Sequence, residues 1–354
     1  MKKWEENVRK VDPYVPGEQP KEQGIIKLNT NENPYPPSQK VQKALEETDV
    51  DKFRLYPDPA IESLVCAIAD YYGVEKENVF VGVGSDDVIA MSFMAFFNGG
   101  KPILFPDITY SFYDVWADLL KIPYETQALD EKFHIKKEDY MKENGGIIFP
   151  NPNAPTGVFE DLSLVEEIIA ENPASVVIVD EAYVDFGGKS AISLLEKYDN
   201  LLVVQTFSKS RSMAGMRIGF AIGNKELIKY LNDVKYSFNS YTMNETAIRF
   251  GVAAMEDKDY FEETVRKIIA TREWTKNELT RLGFTFPDSK ANFIFASHES
   301  IPAEELQQAL RKERIVVRYF KKPRIDNYLR ITVGTQKEME ALIQTLENYI
   351  NRKK

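Results

Sequence analysis

The chain has 354 residues, 43% hydrophobic and 28% charged, which is enough apolar material for about two cored domains and too balanced for wholesale disorder. Its net charge of −10 argues against the broad basic surface of a nucleic-acid binder, and its longest apolar stretch, 88–97, falls far short of the roughly 20 residues a bilayer span needs. One cysteine, Cys66, excludes an internal disulfide or a cysteine metal cluster; with no apolar segment behind the opening lysines, a cytoplasmic protein is expected.

Residues 1–30 are polar and dotted with proline, an arm that contributes a short strand at 25–28 to a small domain. Residues 29–37 are too rich in Asn and Pro for helix or central strand. Helical patterns follow at 41–48 and 61–72, then a strand at 78–81 that runs into Gly82-Val83-Gly84-Ser85, then a helix over 86–97. Short β-branched runs come next at 103–105, 147–149, 176–179, 201–204 and 218–221, separated by helical stretches such as 162–170. That is the pattern of a buried, mostly parallel sheet flanked by helices, so we expect an α/β large domain over 31–245. Residues 246–354 read as a smaller α+β domain, with a long helix at 260–282, strands at 292–295, 315–318 and 329–333, and helices at 303–311 and 337–351.

Two glycine motifs mislead. Gly82-Val83-Gly84 begins like a dinucleotide fingerprint, but Asp87 stands where its last glycine belongs. Gly188-Lys189-Ser190 ends like a phosphate loop, but Tyr183 stands at its first glycine. His134 and His298 are far apart in sequence, so no metal site is expected.

Other residues gather at strand ends. Lys209 closes Thr206-Phe207-Ser208-Lys209 after the strand 201–204, and Arg217 precedes the next strand. The carboxyl edge of an open α/β sheet is where ligands bind. Asp180 ends the strand 176–179, where it equally suits a helix cap, and Tyr183 follows it. Asn151-Pro152-Asn153-Ala154-Pro155-Thr156-Gly157 follows the strand 147–149 and would pass for an ordinary turn. Gly84-Ser85-Asp86 opens a helix, whose free N–H groups and dipole favour a phosphate. Arg318, Lys321, Lys322 and Arg324 form a basic cluster too short for a duplex and large enough for one small anion.

Taken in order, Asp180-Glu181-Ala182-Tyr183, Ser208-Lys209 and Ala214-Gly215-Met216-Arg217-Ile218-Gly219 resemble the fold-type I pyridoxal-phosphate (PLP) aminotransferases. Asn29-Thr30-Asn31-Glu32-Asn33-Pro34, Tyr56-Pro57, Thr109-Tyr110, Asn292-Phe293 and Leu329-Arg330-Ile331-Thr332-Val333-Gly334 resemble the histidinol-phosphate branch of that family, over about residues 25–350. The resemblance implies a seven-stranded, mostly parallel sheet in the large domain, and PLP held covalently by Lys209. Asp180 would face the pyridine nitrogen and keep it protonated, and Tyr183 would donate to the ring oxygen. The cofactor phosphate would lie on Gly84, Ser85 and Asp86 with Arg217, Ser208 and Thr206, and Tyr110 would stack on the ring. Tyr56 would reach the cofactor phosphate of a neighbouring subunit and help bind its substrate, which implies a homodimer. Where the family has Asn before Pro-Thr-Gly this chain has Ala154, so Asn153 or a neighbour stands in, or Tyr183 holds the ring oxygen alone. Arg330, Arg318 and Asn292 would bind substrate. The implied activity is reversible, ping-pong amino transfer between L-histidinol phosphate and 2-oxoglutarate, with glutamate as donor, in histidine biosynthesis, with no nucleic-acid or membrane partner. The same residues leave open a threonine-phosphate decarboxylase, an aromatic aminotransferase and a non-catalytic PLP-binding regulator.

Overall fold

The computed structural model describes residues 2–353. In chain order it runs β1 (Ile26–Leu28), α1 (Gln39–Glu46), α2 (Glu62–Tyr72), β2 (Val79–Gly82), α3 (Gly84–Phe96), β3 (Ile103–Pro106), α4 (Tyr113–Leu120), β4 (Tyr124–Gln127) and β5 (Ile147–Pro150). It continues through α5 (Leu162–Glu171), β6 (Val177–Asp180), β7 (Leu201–Thr206), β8 (Gly219–Gly223), α6 (Lys225–Phe238), α7 (Glu245–Glu256) and α8 (Lys258–Arg281). The last elements are β9 (Phe284–Thr285), β10 (Phe293–His298), α9 (Ala303–Lys312), β11 (Ile315–Tyr319), β12 (Leu329–Thr332) and α10 (Gln336–Lys353).

Strands such as Val177–Asp180 and Leu201–Thr206 offer apolar side chains to both faces, so they are stable only where helices cover both. They form a seven-stranded sheet in the order β2-β8-β7-β6-β5-β3-β4. Strands β4, β3, β5, β6 and β7 are parallel, and β8 runs antiparallel to both β7 and β2. Six of these strands were visible as apolar runs. The seventh, β4, was not, because it lies at the sheet edge and three of its four residues, Tyr124, Glu125 and Thr126, face water.

The second sheet has the order β1-β11-β12-β10-β9. Strand β1, from the N-terminal arm, pairs parallel with β11, matching Ile26 to Ile315 and Leu28 to Val317. A cluster that includes Leu279 of α8, Leu306 of α9 and Leu342 of α10 packs with Ile294 and Ile331 of this sheet. Helix α7 buries Ala247, Ile248 and Phe250 in the same cluster as Leu64 and Ile68 of α2, so it lies on the helical layer of the large sheet.

Candidate active site

The parallel strands end together, and their last residues line one cavity of about 380 Å³: Pro150 of β5, Asp180 of β6 and Thr206 of β7. Lys209, Tyr183, Tyr110, Ser85, Asp86, Ser208 and Arg217 complete its walls with Thr30 and Glu32. An adjoining cavity shares Lys209, Tyr110, Tyr183 and Arg217 and extends to Arg318 and Arg330 of the small sheet.

Lys209 sits three residues past β7, and its Nζ donates to the Thr30 carbonyl at 3.2 Å. Its own carbonyl and that of Ser210 accept from Asn33 Nδ2 at 3.0 and 3.1 Å. The residues 29–33 are therefore a clamp on the lysine loop.

Asp180 is buried at the end of β6, accepting from Tyr113 Oη at 2.8 Å and from the Ala182 N–H at 3.2 Å. Burial pushes its carboxyl up to about 6, against the opposing pull of those two hydrogen bonds. Both partners are neutral, so the acid end of the cavity is matched to a cation with an N–H to offer. Tyr183 Oη accepts from Asn31 Nδ2 at 2.9 Å, which leaves the phenol proton free to point into the cavity.

At the other end, α3 opens at Gly84, with Ser85 and Asp86 in its first turn. Gly84 has φ +83, and a Cβ there would meet Arg217 Nη2 at 2.4 Å. Arg217 itself is left-handed, φ 54, a conformation that non-glycine residues hold only when their surroundings enforce it. Its guanidinium reaches Asp86 Oδ2 at 3.1 Å and Ser208 Oγ at 3.4 Å. Thr206 Oγ1 lies 3.0 Å from Ser208 Oγ, so hydroxyls, helix N–H groups and one guanidinium converge, as a phosphate requires. Tyr110 donates to Asp86 Oδ1 at 2.7 Å; burial, then the Asp86 charge, raise its phenol pKa, so it stays neutral.

Arg318 and Arg330 are direct cross-strand partners in β11 and β12. Both guanidiniums stand 5.4 Å from the Phe320 ring, and Arg330 also lies 5.3 Å from that of Phe293. Arg330 donates to the Asn29 carbonyl at 3.2 Å, and its buried Nε has no partner among the described residues. Burial lowers its pKa, and the Arg318 charge adds to that. Two like charges opposite one another on a sheet are unfavourable unless an anion joins them.

Three sequence candidates lie elsewhere. Asn153 is buried beside the cavity and spends its Nδ2 on the Ile108 carbonyl and Thr156 Oγ1, both at 3.0 Å; Ala154 lines the wall instead. Asn292 is fully buried and donates to the Asn31 carbonyl at 3.0 Å. Tyr56 is 82% exposed and packs on Tyr241, with ring centroids 4.6 Å apart. Sequence reasoning passed over Tyr113, which binds Asp180, and gave Thr30 and Asn31 no individual role.

A mostly parallel seven-stranded sheet with amine, acid and arginine at its carboxyl rim, accompanied by a smaller mixed sheet, defines a fold-type I α/β transferase. Residues 23–346 match the family "Aminotransferase class I and II". The chain is 54% identical over 347 residues to the histidinol-phosphate aminotransferase of Clostridium acetobutylicum, covering 98% of this chain and 99% of that one. A putative histidinol-phosphate aminotransferase from Erwinia carotovora atroseptica superposes with a TM-score of 0.86 at 25% identity, over 93% of this chain and 97% of that one. The same fold recurs, with a TM-score of 0.84 at 20% identity, in the histidinol-phosphate aminotransferase of Sinorhizobium meliloti, solved in complex with pyridoxal-5'-phosphate, over 93% of this chain and 92% of that one. The chain belongs to the class I and II aminotransferase family, on the branch of the histidinol-phosphate aminotransferases.

Proposed function

We propose that this chain is a cytoplasmic, homodimeric enzyme that transfers an amino group reversibly between L-histidinol phosphate and 2-oxoglutarate, with PLP held on Lys209. The observation that carries the substrate is the facing pair Arg318 and Arg330, which lines the adjoining cavity together with Lys209. A phosphate dianion satisfies both guanidiniums at once, and a carboxylate of glutamate can take the same place in the other half-reaction.

The residues present fit PLP. Its aldehyde suits the Lys209 amine, and its ring nitrogen suits Asp180, a buried acid whose hydrogen-bonding partners are neutral. Its phosphate suits Ser85, Ser208, Thr206 and Arg217 around the start of α3. Bound PLP supplies an electron sink for the negative charge that develops at the substrate Cα. The chain supplies the rest. Lys209 Nζ takes the Cα proton and returns it. Asp180 holds a proton on the ring nitrogen, because a buried carboxylate is much better off beside a cation than alone. Tyr183, oriented by Asn31, donates to the ring oxygen. Tyr110 covers one wall and helps exclude water.

The test is a panel of amino donors and acceptors on purified protein. Histidinol phosphate with 2-oxoglutarate is expected to yield glutamate, and Lys209→Ala to abolish it together with the visible absorbance of bound cofactor. Glutamate formed from phenylalanine but not from histidinol phosphate would overturn the substrate, and carbon dioxide released from threonine phosphate would make the chain a decarboxylase.

A further inference from the structure

The hairpin β11–β12 carries Arg318 and Arg330 in register, and the end of its loop stays with the small sheet, where Asn327 donates to Ser297 Oγ at 3.1 Å and Tyr328 stacks on Phe295, ring centroids 4.5 Å apart. The tip, Arg324 and Ile325, instead crosses to the large domain and is fastened there. Arg324 Nη1 donates to Asp107 Oδ2 at 2.7 Å, and Nη2 donates to the carbonyls of Leu129 and Asp130 at 2.8 and 2.9 Å. The next residue, Ile325, is buried in a cluster that joins Ile108, Leu129 and Phe133 to Phe295 of β10. Arg324 is left-handed, φ 68, so the loop accepts an unfavourable backbone state to make these contacts.

Both ends of this connection lead to the site. Asp107 also accepts from the Leu129 N–H at 3.0 Å and stands three residues before Tyr110, which lines the cofactor cavity. On the hairpin side, Phe320 is the ring against which both arginines rest. One planar guanidinium with three acceptors thus fixes the hairpin against the rim that carries Tyr110.

We propose that Arg324 is a positioning residue for the phosphorylated substrate: by fastening the hairpin tip to Asp107, Leu129 and Asp130 it sets the distance between the Arg318–Arg330 pair and Lys209. This rests on reading that pair as the subsite for the substrate phosphate. Displacement of a binding group by about an ångström is enough to cost one to two orders of magnitude, so a loosened hairpin should be visible in kinetics.

The experiment compares holoenzyme with Arg324→Ala, Arg324→Lys and Asp107→Asn, using histidinol phosphate and unphosphorylated histidinol as amino donors. Calorimetric titration with inorganic phosphate and a thermal melt accompany each variant. In Arg324→Ala, KM for the phosphorylated amine should rise on the order of tenfold, with kcat and turnover of histidinol within about twofold. Affinity for inorganic phosphate should fall in parallel, and the cofactor absorbance should not move. Arg324→Lys and Asp107→Asn should fall between and remain informative if the alanine variant folds poorly. If all variants lose phosphorylated and unphosphorylated turnover alike, or keep the full preference for phosphate, Arg324 merely holds the fold and the proposal fails. A wild-type enzyme indifferent to the phosphate would instead sink the substrate reading on which it rests.

Discussion

Asp180 meets two neutral donors at the end of a buried strand, and its carboxyl is pushed from 3.8 to about 6 by loss of water. An acid that holds its proton more tightly folded than unfolded works against the native state as pH rises. The penalty is absent below the unfolded value, grows across the window from about 4 to about 6, and is complete above it. Holding the ionised carboxyl in this setting costs about 3 kcal/mol, an upper figure for a group this enclosed. Asp180→Asn should therefore make the cofactor-free protein more stable at pH 8 by up to about 3 kcal/mol, with the gain vanishing near pH 4. Urea denaturation across that range measures it, and cofactor affinity should fall in the same variant, because the cation's partner is gone. Glu181, pushed up to about 7 by burial among Ser190, Ala191 and Gln205, gives wild type and variant a common background of the same sign. Asp180, Tyr183, Lys209 and Arg217 were legible in the sequence because each follows or precedes an apolar run that names its strand. Tyr113 and Asn31 were not legible in their roles, because their partners Asp180 and Tyr183 lie 67 and 152 residues away and nothing local marks the meeting.

Strand β8 shows how an element, and not a side chain, builds the end of the cavity we propose for the cofactor phosphate. Gly219 is matched to Gly82 on one side and Thr206 on the other, directly beneath the start of α3. A Cβ there would stand 2.2 Å from the Ser85 nitrogen and 2.3 Å from the Gly84 carbonyl carbon, both backbone atoms that cannot rotate away. Gly219→Ala must push the helix N-terminus off the sheet. It should lower stability by about 1–3 kcal/mol and weaken cofactor binding well beyond what the melt alone explains. Absorbance titration with PLP alongside calorimetry separates the two effects, and Gly99→Ala, where a Cβ meets nothing within 4 Å among the described residues, should change neither. The alternation of strand and helix was readable because a doubly covered parallel strand is apolar on both faces. The edge strand β4 was unreadable for the opposite reason, and the antiparallel sense of β8 leaves no mark in its composition. The change of texture after residue 245 reflects the long α8; α7 still packs on the helices of the large sheet.

At the scale of the whole molecule, six of the exposed large apolar residues gather on two segments. Phe53, Leu55 and Tyr56 lie on one segment, and Tyr236, Phe238 and Tyr241 on another. The Tyr56–Tyr241 contact and the hydrogen bond from Lys235 to the Pro59 carbonyl at 2.6 Å bring the two segments together. A face with Tyr56 82% and Phe238 71% exposed is costly to leave in water, and a second copy of the chain is the occupant we propose. Phe238→Glu should then shift sedimentation from dimer to monomer. Whether Tyr56 serves the partner's site can be read from a mixing experiment. Lys209→Ala and Tyr56→Ala would each be nearly inactive as pure dimers. In a heterodimer, if Tyr56 acts across the interface, both defects fall on one site and the other site is intact. Random reassociation of equal amounts makes half the dimers mixed, so activity should recover to roughly a quarter of wild type. If Tyr56 acts within its own subunit, each site of the mixed dimer keeps one defect and mixing recovers nothing. The same mixture made on a Phe238→Glu background should stay inactive either way, because a chain that cannot pair has no second site to repair.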